Sequence, residues 1–141
     1  MATIFMMSFQ LVMADDVKIS QAVKNALEKE FPGAQYVQWE KSGDLYRAIF
    51  NYEGQRLSSY FEDNGELFSV TRYVIFSSLP INVIKSVTQQ YPGAVIDEAI
   101  LEVAKSEGTS YLMTIKIKKG TYIIEADPTG NITIVKKQKL G

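Results

Sequence analysis

The chain has 141 residues, of which 46% are hydrophobic and 22% are charged, with 15 basic and 16 acidic side chains. This length fits one domain or two small repeats that share a core, and the balanced charge gives no net field to gather nucleic acid. The sequence has no histidine and no cysteine, which excludes disulfides, thiolate zinc sites, cysteine nucleophiles and imidazole bases. We therefore expect no enzyme, no metal or other cofactor, and no nucleic-acid partner.

The first segment, residues 1–14, is an apolar run that ends in a Val-Met-Ala tripeptide before Asp15. It is shorter than the roughly 20 residues that a membrane-spanning helix needs, and its pattern is typical of a secretory signal peptide. No lysine or arginine precedes the run, so the alternative is an ordinary helix or strand that packs on the domain. The signal interpretation predicts a periplasmic or secreted protein that starts near Asp15 and has no stable membrane insertion after cleavage.

An internal repeat organises the rest of the chain. Phe-Pro-Gly-Ala at 31–34 recurs as Tyr-Pro-Gly-Ala at 91–94, and each copy ends a helical pattern because the Pro-Gly step stops a helix. Ser20 is a good N-cap for the first helix, and Pro80 opens the second. The apolar stripes fall at Ile19, Val23, Ala26, Leu27 and Phe31, and at Val83, Ile84, Val87 and Tyr91.

Alternating apolar residues follow each helix and predict strands. The first run is Tyr46, Ala48, Phe50 and Tyr52, and its counterpart at an offset of 65 is Tyr111, Met113, Ile115 and Ile117. Asn64-Gly65 predicts a hairpin turn, and an insertion lengthens the second copy around 104–108. We predict an α+β fold of two tandem repeats, 15–76 and 77–141, each with one helix and about four antiparallel strands. The two would form one cooperative domain, with an antiparallel sheet of about eight strands and both helices on one face.

Several motifs resemble the PepSY-like repeat of small exported proteins, found mainly in Bacteroidetes. They are Phe31-Pro32-Gly33-Ala34, Trp39-Glu40, Tyr46-x-Ala48-x-Phe50, Gly54, Phe61-x-Asp63-x-Gly65-Glu66, Leu79-Pro80-x-x-Val83 and Tyr91-Pro92-Gly93-Ala94. The resemblance covers about residues 17–137 and implies the fold of the beta-lactamase inhibitor protein, with no established activity. The second copy has Ala99 and Ala126 in place of Trp39 and Phe61, which weakens the case for a shared ligand site in the second half.

Three charged patterns have simple structural explanations. Glu98 and Glu102 could be paired carboxylates, but no apolar pocket accompanies them, and we expect a solvated strand face. The segment 63–66 lacks the alternating oxygen ligands of a calcium loop and predicts a turn. The C-terminal lysines have almost no interleaved aromatic residues for base stacking. We expect them to discourage sheet-to-sheet aggregation, with a weak anionic-surface role as the alternative: Lys116, Lys118, Lys119, Lys136, Lys137 and Lys139.

The aromatic residues divide between the two faces of the first-half sheet. Those expected to face the helix, and so to belong to the core, are Trp39, Tyr46, Phe50, Tyr52 and Phe61. Those expected on the opposite, open face are Leu45, Arg47, Ile49, Tyr60, Phe68, Val70 and Arg72. The second-half counterparts of Arg47, Ile49 and Phe68 are Leu112, Thr114 and Thr133. Clustered tyrosine, phenylalanine and arginine are typical of a protein-binding surface.

We therefore predict an exported, non-enzymatic module that binds a protein or peptide of the cell envelope. The predicted contacts lie on the open face, at Arg47, Ile49, Tyr60, Phe68 and Arg72. One alternative is a carrier or sensor of a small apolar ligand, in a cavity lined by residues such as Met113, Ile115 and Tyr46. Another is a structural homodimer whose interface is the aromatic face.

Overall fold

The computed structural model describes residues 17–139. Within this range the chain forms two α-helices and nine β-strands, which confirms the predicted α+β class with an antiparallel sheet. The helices are α1 (Gln21–Glu30) and α2 (Ile81–Gln90), with a 3-10 turn at Phe76–Ser78 before α2. The strands are β1 (Gln35–Ser42), β2 (Leu45–Tyr52), β3 (Gln55–Phe61), β4 (Leu67–Val74), β5 (Val95–Ile96), β6 (Ile100–Lys105), β7 (Gly108–Ile117), β8 (Gly120–Ala126) and β9 (Ile132–Lys139). The predicted signal peptide, residues 1–14, lies outside the described residues.

The strand order in the described sheet is β1-β2-β3-β4-β6-β7-β8-β9, and β5 pairs with β7. The sequence predicts about eight strands, and the additional one is β5, a pairing of only two residues in which Val95 lies opposite Lys116. The chain divides into two compact units, one ending at Val70 and the other beginning at Thr71. This boundary lies inside β4, whereas the repeat pattern of the sequence predicts a boundary after residue 76.

In the first unit, helix α1 begins and ends where the local sequence predicts. The Ser20 side chain caps the helix by accepting a hydrogen bond from the Val23 N–H at 3.3 Å. At the other end, the Phe31 N–H donates to the Leu27 carbonyl at 2.8 Å. The chain then turns through Gly33, whose φ of +88° suits glycine. The two ends of the helix are therefore set by the local sequence.

The core of the first unit lies between α1 and one face of its strands. Val23 and Leu27 pack against residues of β2 and β3 that alternate along each strand: Ala48, Phe50, Leu57 and Phe61. The predicted aromatic core is confirmed, since Phe50 and Phe61 are fully buried and the partly buried Trp39, Tyr46 and Tyr52 pack around them. The Phe31 and Phe50 ring centroids lie 5.0 Å apart, a separation at which aromatic pairs add about 1 kcal/mol beyond burial.

The second unit has its own core, built on α2. Its buried side chains come from α2, from the segment before it and from β6 to β8: Leu79, Val83, Val87, Ile100, Tyr111, Met113, Ile115, Tyr122, Ile124 and Ala126. Pro80 stands at the N-cap of α2, so its missing N–H costs no helical hydrogen bond. Met113 and Ile115, two residues suggested above as cavity lining, are buried in this packed cluster.

Each unit has a hairpin turn that lies against the first turn of its helix. In the first, the Gly65 N–H donates to the Glu62 carbonyl at 2.9 Å. A Cβ on Gly65 would lie 2.7 Å from the Ala22 carbonyl oxygen. In the second, a Cβ on Gly130 would lie 2.7 Å from the Asn82 carbonyl oxygen. Both glycines have positive φ, so conformation and space alike require glycine there.

Candidate binding surface

Strand pairing in the first unit places three of the predicted site residues on one face. Arg47 of β2 lies opposite Tyr60 of β3, and Ile49 lies opposite Ser58. The intervening Ala48 and Phe50 are fully buried and point to the helix side. Since side chains alternate along a strand, Arg47, Ile49 and Tyr60 point to the open face.

The guanidinium of Arg47 is fixed on this face by contacts to two neighbouring strands. Its Nη1 donates to Glu40 Oε1 on β1 at 2.7 Å. Its Nε and Nη2 donate to the Ser58 hydroxyl on β3 at 3.2 Å and 3.1 Å. The guanidinium carbon also lies 5.8 Å from the centre of the Tyr60 ring, within the range of a cation–π contact.

The position of Arg47 explains the burial of Ser58, which is 7% exposed although it lies on the open face. A long arginine side chain covers what lies beneath it, and here it covers the hydroxyl that accepts its hydrogen bonds. Three of its five N–H groups have partners among the described residues. The guanidinium is therefore held in one orientation with donors still available to a ligand.

Phe68 of β4 is 43% exposed, and Tyr60 is half-buried. Phe68 belongs to the first unit, as do Arg47, Ile49 and Tyr60. We call these four residues the aromatic–arginine cluster. Its composition, two aromatic rings and one fixed arginine, matches the residue types that dominate binding energy at protein interfaces.

Arg72, the fifth predicted site residue, belongs to the second unit, and its described ion pair is there. Its Nε donates to Glu102 Oε1 at 2.8 Å. Glu102 on β6 lies opposite the buried Tyr111. The hydrogen bond and the charge of Glu102 raise the pKa of Arg72. Burial raises the pKa of the Tyr111 phenol, and Glu102 raises it further.

This ion pair corrects the interpretation of Glu98 and Glu102 as residues of a solvated strand face. Glu98 lies in a bend before β6 rather than on a strand. Glu102 is on the strand, but its side chain is only 20% exposed and is paired with Arg72. The two carboxylates are therefore not equivalent, and Glu102 has a structural role.

The acidic turns are also structural. Segment 63–66 is a hairpin connection, as predicted, in which the Glu66 N–H donates to the Asn64 side chain at 2.9 Å. In the second unit, Asp127 accepts hydrogen bonds from the Thr129 hydroxyl at 2.6 Å and from the Asn131 N–H at 3.1 Å. These bonds lower the pKa of Asp127 to about 2. Among residues 17–139 there is no group of three or more acidic side chains placed to hold a metal ion.

Glu40 and Ser58 are the functional partners that the sequence analysis missed. The turn between β2 and β3 contains a signal for Ser58. Glu53 and Gly54, both with positive φ, connect β2 and β3 as a two-residue turn. Such turns fix the register of a hairpin. Tyr52 and Gln55 are the first pair beside this turn. Five pairs further along the two strands, Arg47 lies opposite Tyr60 and diagonal to Ser58.

Comparison with solved structures identifies the fold as BLIP-like. A BLIP-like protein from Bacteroides fragilis matches with a TM-score of 0.76 over 90% of this chain and 94% of its own, at 22% identity. A DUF2874 family protein from Bacteroides uniformis matches with a TM-score of 0.74 over 86% of this chain and 90% of its own, at 19% identity. A protein from Bacteroides eggerthii that is assigned to the periplasm matches with a TM-score of 0.73 over 87% of this chain and 90% of its own, at 18% identity.

These matches confirm the fold that the resemblance implies, and they do not assign an activity. No family model and no curated protein sequence matches the chain. In residues 17–139, neither helix is long and apolar enough to cross a membrane.

Proposed function

We propose that this chain is an exported, non-enzymatic binding module that holds a protein or peptide on the open sheet face of its first unit. The observation that carries the proposal is the fixed guanidinium of Arg47 beside the Tyr60 ring, with Phe68 exposed on β4 of the same unit. Interface residues that are already ordered lose less conformational entropy on binding. In this arrangement the rings supply contact area, and Arg47 orients the partner with its remaining N–H groups.

Ile49 extends the apolar part of the surface, since it lies two residues from Arg47 on the same strand and so points to the same face. Arg72 belongs to the second unit, so its role as a cationic contact stays a separate prediction. Its side chain is 41% exposed, and Glu102 holds its Nε. Arg72 and Arg47 are thus both oriented by a carboxylate of a nearby strand.

We also propose that the chain consists of two PepSY-like repeats. The connections at 62–66 and 127–131 support this, because both have the same pair of backbone hydrogen bonds. Glu62 N–H donates to the Glu66 carbonyl, as Asp127 N–H does to that of Asn131. In each turn, a Cβ on the glycine would also come too close to a backbone carbonyl in the first turn of the helix.

The test of binding is photo-crosslinking from position 68 in an envelope fraction, followed by purification of the crosslinked partner. With the partner in hand, Tyr60→Ala together with Phe68→Ala should weaken binding by about 30-fold or more, because truncating even one hot-spot residue costs about 2 kcal/mol. Tyr36→Ala is the matched control, since Tyr36 is an exposed tyrosine of the same unit. An unchanged affinity in the double variant would exclude the cluster as the contact surface.

The homodimer remains the second candidate, because an exposed Phe68 suits self-association as well. Light scattering across a dilution series measures the mass directly. If the chain is dimeric and Phe68→Ala makes it monomeric, the face is a dimer interface. A chain that is monomeric throughout leaves the face available to another partner.

A further inference from the structure

The second unit carries a concentrated group of lysines along its outer edge. All six are exposed, and we call them the basic edge: Lys116, Lys118, Lys119, Lys136, Lys137 and Lys139. Strand β9, which ends the described sheet, supplies three of them. Two more are the central residues of the two-residue turn between β7 and β8, and the last lies on β7 beside it.

Strand register brings these lysines to one end of the unit. Lys139 lies opposite Gly120, the residue that follows Lys118 and Lys119 in the turn. Lys116 lies opposite Thr121 on the neighbouring strand. The C-terminal lysines of β9 therefore run beside the lysines of the turn, although about 20 residues of chain separate them.

Within residues 71–139, no ion pair neutralises the positive charge of the basic edge. No ion pair joins any of the six lysines to an acidic side chain among residues 17–139. Between 108 and 139 the only acidic residues are Glu125 and Asp127. Glu125 lies opposite Thr133 and Asp127 bonds to Asn131, at the end of the hairpin away from the lysine turn.

Protection of a sheet edge accounts for only part of this pattern. Lysines on the edge strand β9 would discourage pairing with another sheet. Lys118 and Lys119 occupy a turn, and Lys116 lies on β7, which is paired on both sides. Placing like charges close together without acids between them opposes folding, so a role in binding an anionic partner is a better explanation for these three.

Two exposed aliphatic side chains lie next to the lysines of β9. Ile134 is 40% exposed and Val135 is 54% exposed, and they directly precede Lys136 and Lys137. A register shift in the β8–β9 pairing opposite Ile123 and Ile124 adds an extra residue at this point of β9. Exposed aliphatic groups next to lysines suit the interface of a bilayer, where apolar groups insert and lysines reach the phosphates.

We propose that the basic edge, together with Ile134 and Val135, is a peripheral binding surface for an anionic lipid bilayer. Lipid is favoured over nucleic acid for two reasons. Tyr122, whose ring centre lies 5.5 Å from the Lys137 Nζ, is the one aromatic residue of β8 and β9 that could stack on a base. Ile134 and Val135 have no group that binds a phosphate backbone. Each lysine near an anionic membrane surface strengthens binding about fivefold. The basic edge shares no residue with the aromatic–arginine cluster, so this proposal does not depend on the proposed function.

The test is sedimentation of the full chain with vesicles of phosphatidylcholine alone and of phosphatidylcholine with about 30% phosphatidylglycerol. The ratio of the two affinities isolates the electrostatic part and should fall as salt is raised. Lys118→Gln with Lys119→Gln should reduce this ratio about 25-fold, a fivefold loss for each turn lysine. Lys18→Gln with Lys85→Gln, which removes the same charge from exposed positions elsewhere, should leave the ratio unchanged.

The contribution of the aliphatic pair separates lipid from other polyanions. Ile134→Ser with Val135→Ser should weaken binding to the anionic vesicles severalfold and leave binding to a short DNA duplex unchanged. Circular dichroism checks that this variant keeps its secondary structure. Equal affinity for the two vesicle types would overturn the proposal. An equal fall of the affinity ratio in the control variant would also overturn it. So would binding to anionic vesicles that the Ile134→Ser and Val135→Ser substitutions leave unchanged.

Discussion

The close approach of Gly65 to helix α1 gives a sharp prediction for stability. Replacing Gly65 by alanine would place a Cβ 2.7 Å from the Ala22 carbonyl oxygen, about 0.7 Å short of an ordinary contact of 3.4 Å. The nearest atom is helix backbone rather than a flexible side chain, so the turn and the helix must separate. Relief of such overpacking costs about 1–3 kcal/mol, in addition to about 1 kcal/mol for a side chain at positive φ.

Gly54→Ala is the matched control, because Gly54 also has a positive φ, +79°, but a Cβ there would meet nothing within 4 Å. We expect Gly54→Ala to lower the free energy of unfolding by about 1 kcal/mol and Gly65→Ala by about 1–3 kcal/mol more. Urea denaturation followed by the fluorescence of Trp39, the single tryptophan of the chain, reports on the unit that holds both glycines. Equal losses in the two variants would refute the packing argument.

Two further predictions concern single polar groups. Ser59 is fully buried, and its hydroxyl has no hydrogen-bond partner among the described residues. Ser59→Ala should therefore raise the free energy of unfolding by about 1 kcal/mol. A lower free energy of unfolding in urea denaturation would show that the hydroxyl is hydrogen-bonded. The Asp127 carboxyl has a pKa of about 2 against an ordinary 3.8, so the unfolded state binds more protons between these values. The contribution of this carboxylate to stability should be complete above about pH 4 and lost as the pH falls through about 2. Asp127→Asn should remove this part of the pH dependence. An NMR titration that gives Asp127 an ordinary pKa would contradict the prediction.

The local sequence predicts those parts of the fold that local forces decide. Ser20 and the Pro-Gly step at 32–33 act within a few residues, and helix α1 begins and ends where they place it. Alternation along β2 likewise sorts Ala48 and Phe50 to the core, because side chains of a strand point to opposite faces without any reference to the rest of the molecule.

The sequence is less informative where pairing joins distant segments. Arg72 follows the alternation of the first repeat, yet its described ion pair is with Glu102, thirty residues further along. Strand β5 is too short to produce an alternating pattern. The aromatic–arginine cluster was predicted in composition, but the bonds from Arg47 to Glu40 and Ser58 depend on register across three strands, which composition does not contain.

The bonds that hold Arg47 also restrict how this surface can change during evolution. Ser58 fits beneath the guanidinium only while it stays small and able to accept hydrogen bonds, and Glu40 is useful there only while a cation faces it. A substitution of Arg47 removes the advantage of both neighbours at once. Natural variants of this protein should therefore keep the three residues together or lose them together.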